Sequence, residues 1–172
     1  MLIQIGSSKE PSDIVDLLME CHQRIRSFIG LASRLADVEG NSPEEVRDAA
    51  KRVTRYFSGA LPLHVADEEE SILPRLLRKD TELDATLERM HREHVEHEPH
   101  LATLIEVCRM LEDSPQRLDQ VRQRLRSTAS WLETEFDRHL GQEEKVILPA
   151  IRGLLTKEER AEILNELRNR RQ

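Results

Sequence analysis

Apolar residues recur at three- and four-residue intervals through four long stretches of the chain, the spacing that lines one face of an α-helix. The first stretch runs from about Ser12 to Val38, opened by Ser12 or Asp13 and closed by Gly40. The second opens on Ser42-Pro43-Glu44-Glu45, a capping box with proline at the first helical position. It runs towards Leu73 and stops at Pro74, and the internal Pro62 predicts a kink near Gly59–Pro62. The third covers about Thr81 to Leu111, with Pro99 as an interruption that bends it. The fourth opens at Ser114-Pro115 and ends near Pro149. A short fifth begins on a second capping box, Thr156-Lys157-Glu158-Glu159, and carries Ile163, Leu164 and Leu167. Apolar stripes with polar reverse faces, joined by short links, predict an all-α chain. The expected architecture is an antiparallel up-down-up-down four-helix bundle over residues 12–155. A C-terminal helix over 156–172 packs at one end, and residues 1–11 form a disordered lead-in.

Two of these stretches share a pattern. His64-Val-Ala-Asp-Glu68-Glu-Glu-Ser-Ile72-Leu-Pro74 and His139-Leu-Gly-Gln-Glu143-Glu-Lys-Val-Ile147-Leu-Pro149 both read H-x-x-x-E-E-x-x-I-L-P. One H-x-x-x-E on a helix carries little information, because both residue types are common on helical surfaces. The same pattern on two helices implies two related halves. Each half adds a histidine on its first helix, His22 in one and His94 in the other, at nearly equal intervals before the motif.

A helical wheel gives the directions of these side chains. Leu83, Leu87, Met90, Leu101, Ile105 and Cys108 fall within about 40° of His94. Val121, Leu125, Thr128, Leu132, Glu143 and Val146 fall within about 40° of His139. Around His64 the same arc holds Val46, Ala50, Val53, Phe57, Ala60 and Glu68. Around His22 it holds Val15, Leu18 and Ile29. Four histidines and two glutamates therefore face the bundle interior. A buried unpaired carboxylate costs several kcal/mol, and no lysine or arginine on these arcs turns inward to meet either glutamate. A cation in the core resolves the conflict. Residues four apart on one face can share one metal or bridge two. The expected ligand set is His22, His64, Glu68, His94, His139 and Glu143, with two histidines per metal and both glutamates bridging. Mixed nitrogen and oxygen ligation without thiolate suits iron or manganese better than a closed structural zinc site. Two such metal ions, iron or manganese, are the expected cofactor.

Composition narrows the picture further. Aromatics are only 3% of the chain against 34% charged residues, which favours helix over strand. The net charge of −7 argues against a nucleic-acid partner. The basic Arg168, Arg170 and Arg171 are read as complements of a helix dipole. No apolar run reaches the roughly 18 residues that would span a bilayer. The opening MLIQIGSSKEP lacks the basic and apolar regions of a signal peptide. Cys21 and Cys108 are accordingly expected as reduced core thiols in the cytoplasm.

The constellation His22 … His64-x-x-x-Glu68 … His94 … His139-x-x-x-Glu143, with Cys21-His22-Gln-Arg-Ile-Arg and Glu93-His94, resembles the hemerythrin-like, or HHE cation-binding, domain family. The resemblance covers nearly the whole chain. It implies an antiparallel bundle around a non-haem di-iron centre that binds or senses oxygen, handles peroxide or nitric oxide, or delivers and senses iron. The implied partner is a small diatomic or peroxide ligand, with no nucleic acid and no membrane. The oxygen carriers of the family use five histidines, two of them four apart on the third helix, and an aspartate after the last. Here the third helix reads His91, His94, His97 and His100, always three apart, and the last motif ends in Glu143. The chain is thus more similar to four-histidine, two-glutamate members.

The remaining polar residues near the stripes have lesser expected roles. His91 and His97 lie about 60° to either side of His94, as fifth ligand, supporting residue or stripe edge. His100 points outward. Glu69 and Glu144 read as surface charges, Glu93 as a surface charge first and otherwise a support for the site or part of an access path, and Glu135 as a support for His139.

Overall fold

The computed structural model describes residues 13–37 and 39–172. The lead-in expected over 1–11, the cap residue Ser12 and Val38 lie outside them. Helix α1 spans Ile14–Asp37. The second rod is a continuous helical run: α2 (Pro43–Arg55), a π-helical turn π1 (Tyr56–Ala60), α3 (Leu61–Ala66), a second such turn π2 (Asp67–Ile72) and α4 (Leu73–Leu76). Helix α5 (Thr81–Asp113) is the third rod. The fourth follows a 3-10 turn at Pro115–Arg117 and consists of α6 (Leu118–Gln142), π3 (Glu143–Ile147) and α7 (Leu148–Leu154). Helix α8 (Lys157–Asn169) completes the chain. There is no strand among the described residues.

Both capping boxes form. The Ser42 hydroxyl accepts from the Glu45 N–H while the Glu45 carboxylate accepts from the Ser42 N–H, and Thr156 and Glu159 repeat the exchange. Asp80 caps α5 by accepting from the N–H groups of Glu82 and Leu83. Gly40 takes a φ of 81° in the link after α1, a left-handed conformation that suits glycine.

The prolines act differently from expectation, and the reason is physical. The second rod does not stop at Pro74, nor the fourth at Pro149: helix resumes at Leu73–Leu76 and Leu148–Leu154. Proline in a helix interior lacks the N–H for its i−4 carbonyl, and its ring clashes with that carbonyl. A π turn widens the backbone by one residue and relieves both problems. Each π turn here ends two residues before a proline, Pro62, Pro74 or Pro149, which then sits in the first turn of the resumed helix. The extra residue also rotates the face. Ala60 and Val146, expected inside, are exposed, and each lies within a π turn. Pro99 stands within α5, which runs unbroken from Thr81 to Asp113.

Pairs across the rods fix their directions. Asp16 meets Arg152, Arg26 meets Asp137 and Asp37 meets Arg126, so α1 and the fourth rod are antiparallel. Phe28 stacks on Tyr56 and His22 abuts His64, giving the same sense for α1 and the second rod. Glu69 meets His94 while Arg47 reaches the Glu112 carbonyl, and Glu93 meets His139 while Glu106 meets Arg124. Each rod thus runs antiparallel to its neighbour, and the fourth closes on the first.

The core has two apolar parts. One gathers Ile25, Ile29, Val53, Phe57, Leu104, Leu111, Leu125 and Leu132. The other gathers Ile14, Leu18, Ile72, Leu76, Leu87, Ile147 and Ile151, together with Ile163 and Leu167 of α8. Every rod crosses from one part to the other through a histidine or glutamate: His22 on α1, His64 and Glu68 on the second, His94 on α5, His139 and Glu143 on the fourth. The two apolar layers, each large side chain contributing about 1.5–3 kcal/mol when fully buried, hold a polar slab between them.

Candidate metal centre

All six side chains are buried, His22 to 0% exposure and Glu143 to 2%. The ligand atoms of His22, His64, Glu68 and Glu143 lie within 4.8 Å of one another, and so do those of Glu68, His94, His139 and Glu143. The structure therefore brings together every residue singled out in the sequence, as two quartets that share both glutamates. The nitrogen–oxygen separations are short: 3.3 Å from His22 Nε2 to Glu143, 3.3 Å from His64 Nε2 to Glu68, 3.2 Å from His94 Nε2 to Glu68 and 2.9 Å from His139 Nε2 to Glu143. Yet His22 Nε2, His64 Nε2, Glu68 Oε2 and both Glu143 oxygens have no hydrogen-bond partner. Their lone pairs converge on common points.

The outer nitrogens explain why. His22 Nδ1 lies 3.0 Å from Glu144, His94 Nδ1 2.8 Å from Glu69 and His139 Nδ1 2.7 Å from Glu93. An ionised carboxylate can only accept, so each Nδ1 carries the proton and donates it. A metal can then take the inward Nε2, displacing any proton there, while Nδ1 keeps its carboxylate. Glu69 and Glu144 are therefore not the plain surface charges expected from the sequence, and Glu93 takes the supporting role that was its second reading. Glu93 is itself buried and is held by Arg138, which Glu135 also engages, so Glu135 supports His139 only at one further remove. Arg26 holds Glu144 at 2.7 Å. The one signal in the sequence for two of them was position: Glu69 and Glu144 immediately follow the motif glutamates.

The other α5 histidines also resolve. His91 is exposed and shares Glu69 with His94 at 2.9 Å. His97 is buried with both ring nitrogens unpartnered, stacked on Phe136 and edge-on to His139, and belongs to neither quartet. His100 stacks on Trp131 at 3.5 Å and is only partly exposed.

The concentrated negative charge shows in the titration of the cluster. Burial alone raises Glu68, but His64 and His94 outweigh it and hold the carboxyl at about 2. Burial lowers His139, but Glu143, Glu68 and Glu93 overcome it and raise the imidazole to about 9. Burial dominates at His64, which is lowered, and at His97, pushed down to about 4 with help from His139 and His94. Among the described residues no lysine or arginine pairs with Glu68 or Glu143, only the four histidines do, and imidazoles that give up their protons to a metal make with the two carboxylates a donor set that fits a pair of divalent or trivalent cations.

The chain matches the hemerythrin HHE cation-binding domain over residues 13–151. It belongs to that family. An uncharacterized protein of Haemophilus influenzae is 23% identical over 120 residues, covering 68% of each chain. The domain match ends before α8, and this HHE chain adds a contact there that the sequence did not reveal. Asp67, next to Glu68 in π2 and 0% exposed, receives Arg170 at 2.6 Å and also Arg171. Arg171 donates as well to the Leu167 carbonyl at 2.7 Å, so the expected role at the helix end holds for that one group. No helix among the described residues is long and apolar enough to cross a membrane. Cys21 and Cys108 are both free and buried, and burial pushes the Cys108 thiol up to about 12.

Proposed function

We propose that this HHE protein holds two iron ions and uses them to bind or react with a small oxidant or gas: oxygen, peroxide or nitric oxide. The observation that carries the reading is the pair of quartets sharing Glu68 and Glu143. His22 and His64 would serve one iron, His94 and His139 the other, with the two glutamates common to both. Mixed imidazole and carboxylate ligation without thiolate favours iron over zinc. When bound, an iron pair supplies redox change and open positions for a small ligand.

The protein's own residues set the rest. Glu144, Glu69 and Glu93 fix the histidine tautomers and orient the rings. Arg26 and Arg138 balance the outer carboxylates and keep them turned towards those rings. A cavity of about 20 Å³ adjoins His64, His94 and His139, walled by Leu61, Leu101 and Phe136, which suits a diatomic or peroxide and excludes an organic substrate. His97 also lines it, and its unpartnered nitrogens can donate to or accept from a molecule held there. The free cysteines suit a reducing compartment, and the cytoplasm is the proposed location.

The complete burial of the cluster favours a second reading, an iron sensor or store without turnover. The optical spectrum of the iron-loaded protein over repeated additions of peroxide separates the two. Bands that rise and decay as peroxide is lost are the expected result. A ferric spectrum indifferent to peroxide, oxygen and nitric oxide would leave only the sensor or store.

A further inference from the structure

Three cluster histidines carry a carboxylate of the protein on Nδ1, and the fourth does not. His64 is 3% exposed, and its Nδ1 is buried with no partner. Packing holds the ring, edge-on to His22 at 5.3 Å, but no acceptor on its outer nitrogen fixes its tautomer. What lies beside His64 instead is a groove of about 710 Å³ between α1 and the second rod, with His64 in its lining.

The groove has the make-up of a site for an organic anion. Its apolar wall is Phe28 stacked on Tyr56 at 4.1 Å, with Leu63 alongside. Four guanidinium groups line it, those of Arg24, Arg52, Arg55 and Arg171, and no carboxylate among the described residues does. Arg52 and Arg55 are exposed and make no ion pair among the described residues. Among the described residues Arg24 pairs with Glu20 alone, at 3.8 Å and largely in solvent, while Arg171 is held by Asp67. Such a gathering of positive charge stands out in a chain of net charge −7. The backbone also leaves the space open: π1 lies along this groove, and a side chain at Gly59 would meet nothing within 4 Å. The volume falls in the range of small-molecule sites, which combine apolar walls with a few converging polar groups.

We propose that the groove binds a small monocarboxylic acid with an apolar body, and that a side-chain shift on binding brings its carboxylate to His64 Nδ1, closed to solvent in the empty groove, as the acceptor that Glu144, Glu69 and Glu93 supply to the other three histidines. The arginines neutralise the carboxylate, and the body lies against Phe28, Tyr56 and Leu63. With its proton fixed on Nδ1, His64 presents Nε2 to the cluster. Occupancy of the groove therefore strengthens metal binding, and metal strengthens acid binding by the same factor. This coupling rests on the metal reading of the cluster, while the groove itself does not.

The test uses the full chain loaded with zinc as a diamagnetic stand-in, and the same chain stripped of metal. Benzoate and hexanoate are the probes. Benzyl alcohol lacks the charge, and inorganic phosphate lacks the apolar body. Calorimetry should show saturable binding of a carboxylate probe, with both controls at least about tenfold weaker. Nitrogen-15 spectra of the histidines should show the His64 Nδ1 resonance shifting on addition of the acid. The double variant Arg52→Ala, Arg55→Ala should weaken acid binding about tenfold or more with metal content unchanged. Metal affinity should rise about tenfold at saturating acid, the lower end of what an outer partner of a metal-bound histidine contributes. The proposal is overturned if neither acid saturates, if the His64 resonance stays still, if the double variant binds normally, or if phosphate binds as tightly as the acids. Metal content measured on the same samples keeps the two readings apart. Acid binding with a His64 shift in a chain that takes no metal upholds the groove and removes the metal reading. A loaded chain indifferent to both acids removes only the groove.

Discussion

Glu68→Gln is expected to leave the chain with at most one tightly held metal ion. Glu68 belongs to both quartets, one oxygen 3.3 Å from His64 Nε2 and the other 3.2 Å from His94 Nε2. The substitution keeps the shape of the side chain and removes its charge, so an amide stands where two cations would share an anion. Glu143 remains, but one carboxylate offsets only part of the charge of two irons in a buried site. The largest effect is therefore on the second metal and on any coupling between the two. Folding follows the metal, because the histidines and Glu143 stay buried in either case. A chelator should lower the melting temperature of the wild type and do so less in Glu68→Gln. Glu70→Gln is the control: Glu70 is exposed, and Arg170, which it meets, keeps its contact with Asp67. Elemental analysis and magnetic measurements read the outcome. Two irons with unchanged coupling in Glu68→Gln would mean that solvent or another residue makes the bridge.

The second large effect belongs to the contact between α8 and π2. Replacing Arg170 and Arg171 together by alanine should destabilise the chain by about 3–5 kcal/mol, the usual cost of stranding a buried charge. Asp67 is 0% exposed and receives both arginines, whereas the arginines keep part of their surface in water. The cost is therefore asymmetric. Asp67→Ala removes the buried charge along with its partners' contacts and should cost clearly less, since the two guanidiniums can rehydrate. In thermal unfolding, the double arginine variant should melt about 10 °C or more below wild type, with Asp67→Ala in between. Because Asp67 adjoins Glu68 in π2, the double variant should also hold metal more weakly. Equal melting of the two variants would show that the latch contributes packing and not charge.

The elements and the six central residues were legible because they follow the helical period. His22, His64, His94 and His139 sit at the centres of apolar stripes, and the twin motif marks Glu68 and Glu143. What escaped the sequence falls into two kinds. The first comes from the π turns: a fixed 100° advance cannot register one extra residue, so Ala60 and Val146 were placed inside, and Pro74 and Pro149 were taken as helix ends. The second comes from contacts between rods. Glu93, Glu69 and Glu144 look like ordinary helix-surface glutamates along their own rods, and only the neighbouring rod reveals which imidazole each one meets. The same holds for Asp67, whose partners lie about a hundred residues away at the end of the chain. Pairings at that distance leave no local pattern to read.

The most direct test of the central claim is the iron content and magnetic coupling of the wild-type chain after anaerobic loading with ferrous ion and exposure to air. Two quartets that share Glu68 and Glu143 predict two irons per chain, coupled through common ligands. One iron per chain, two uncoupled irons, or a single zinc taken up in preference to iron would contradict the account.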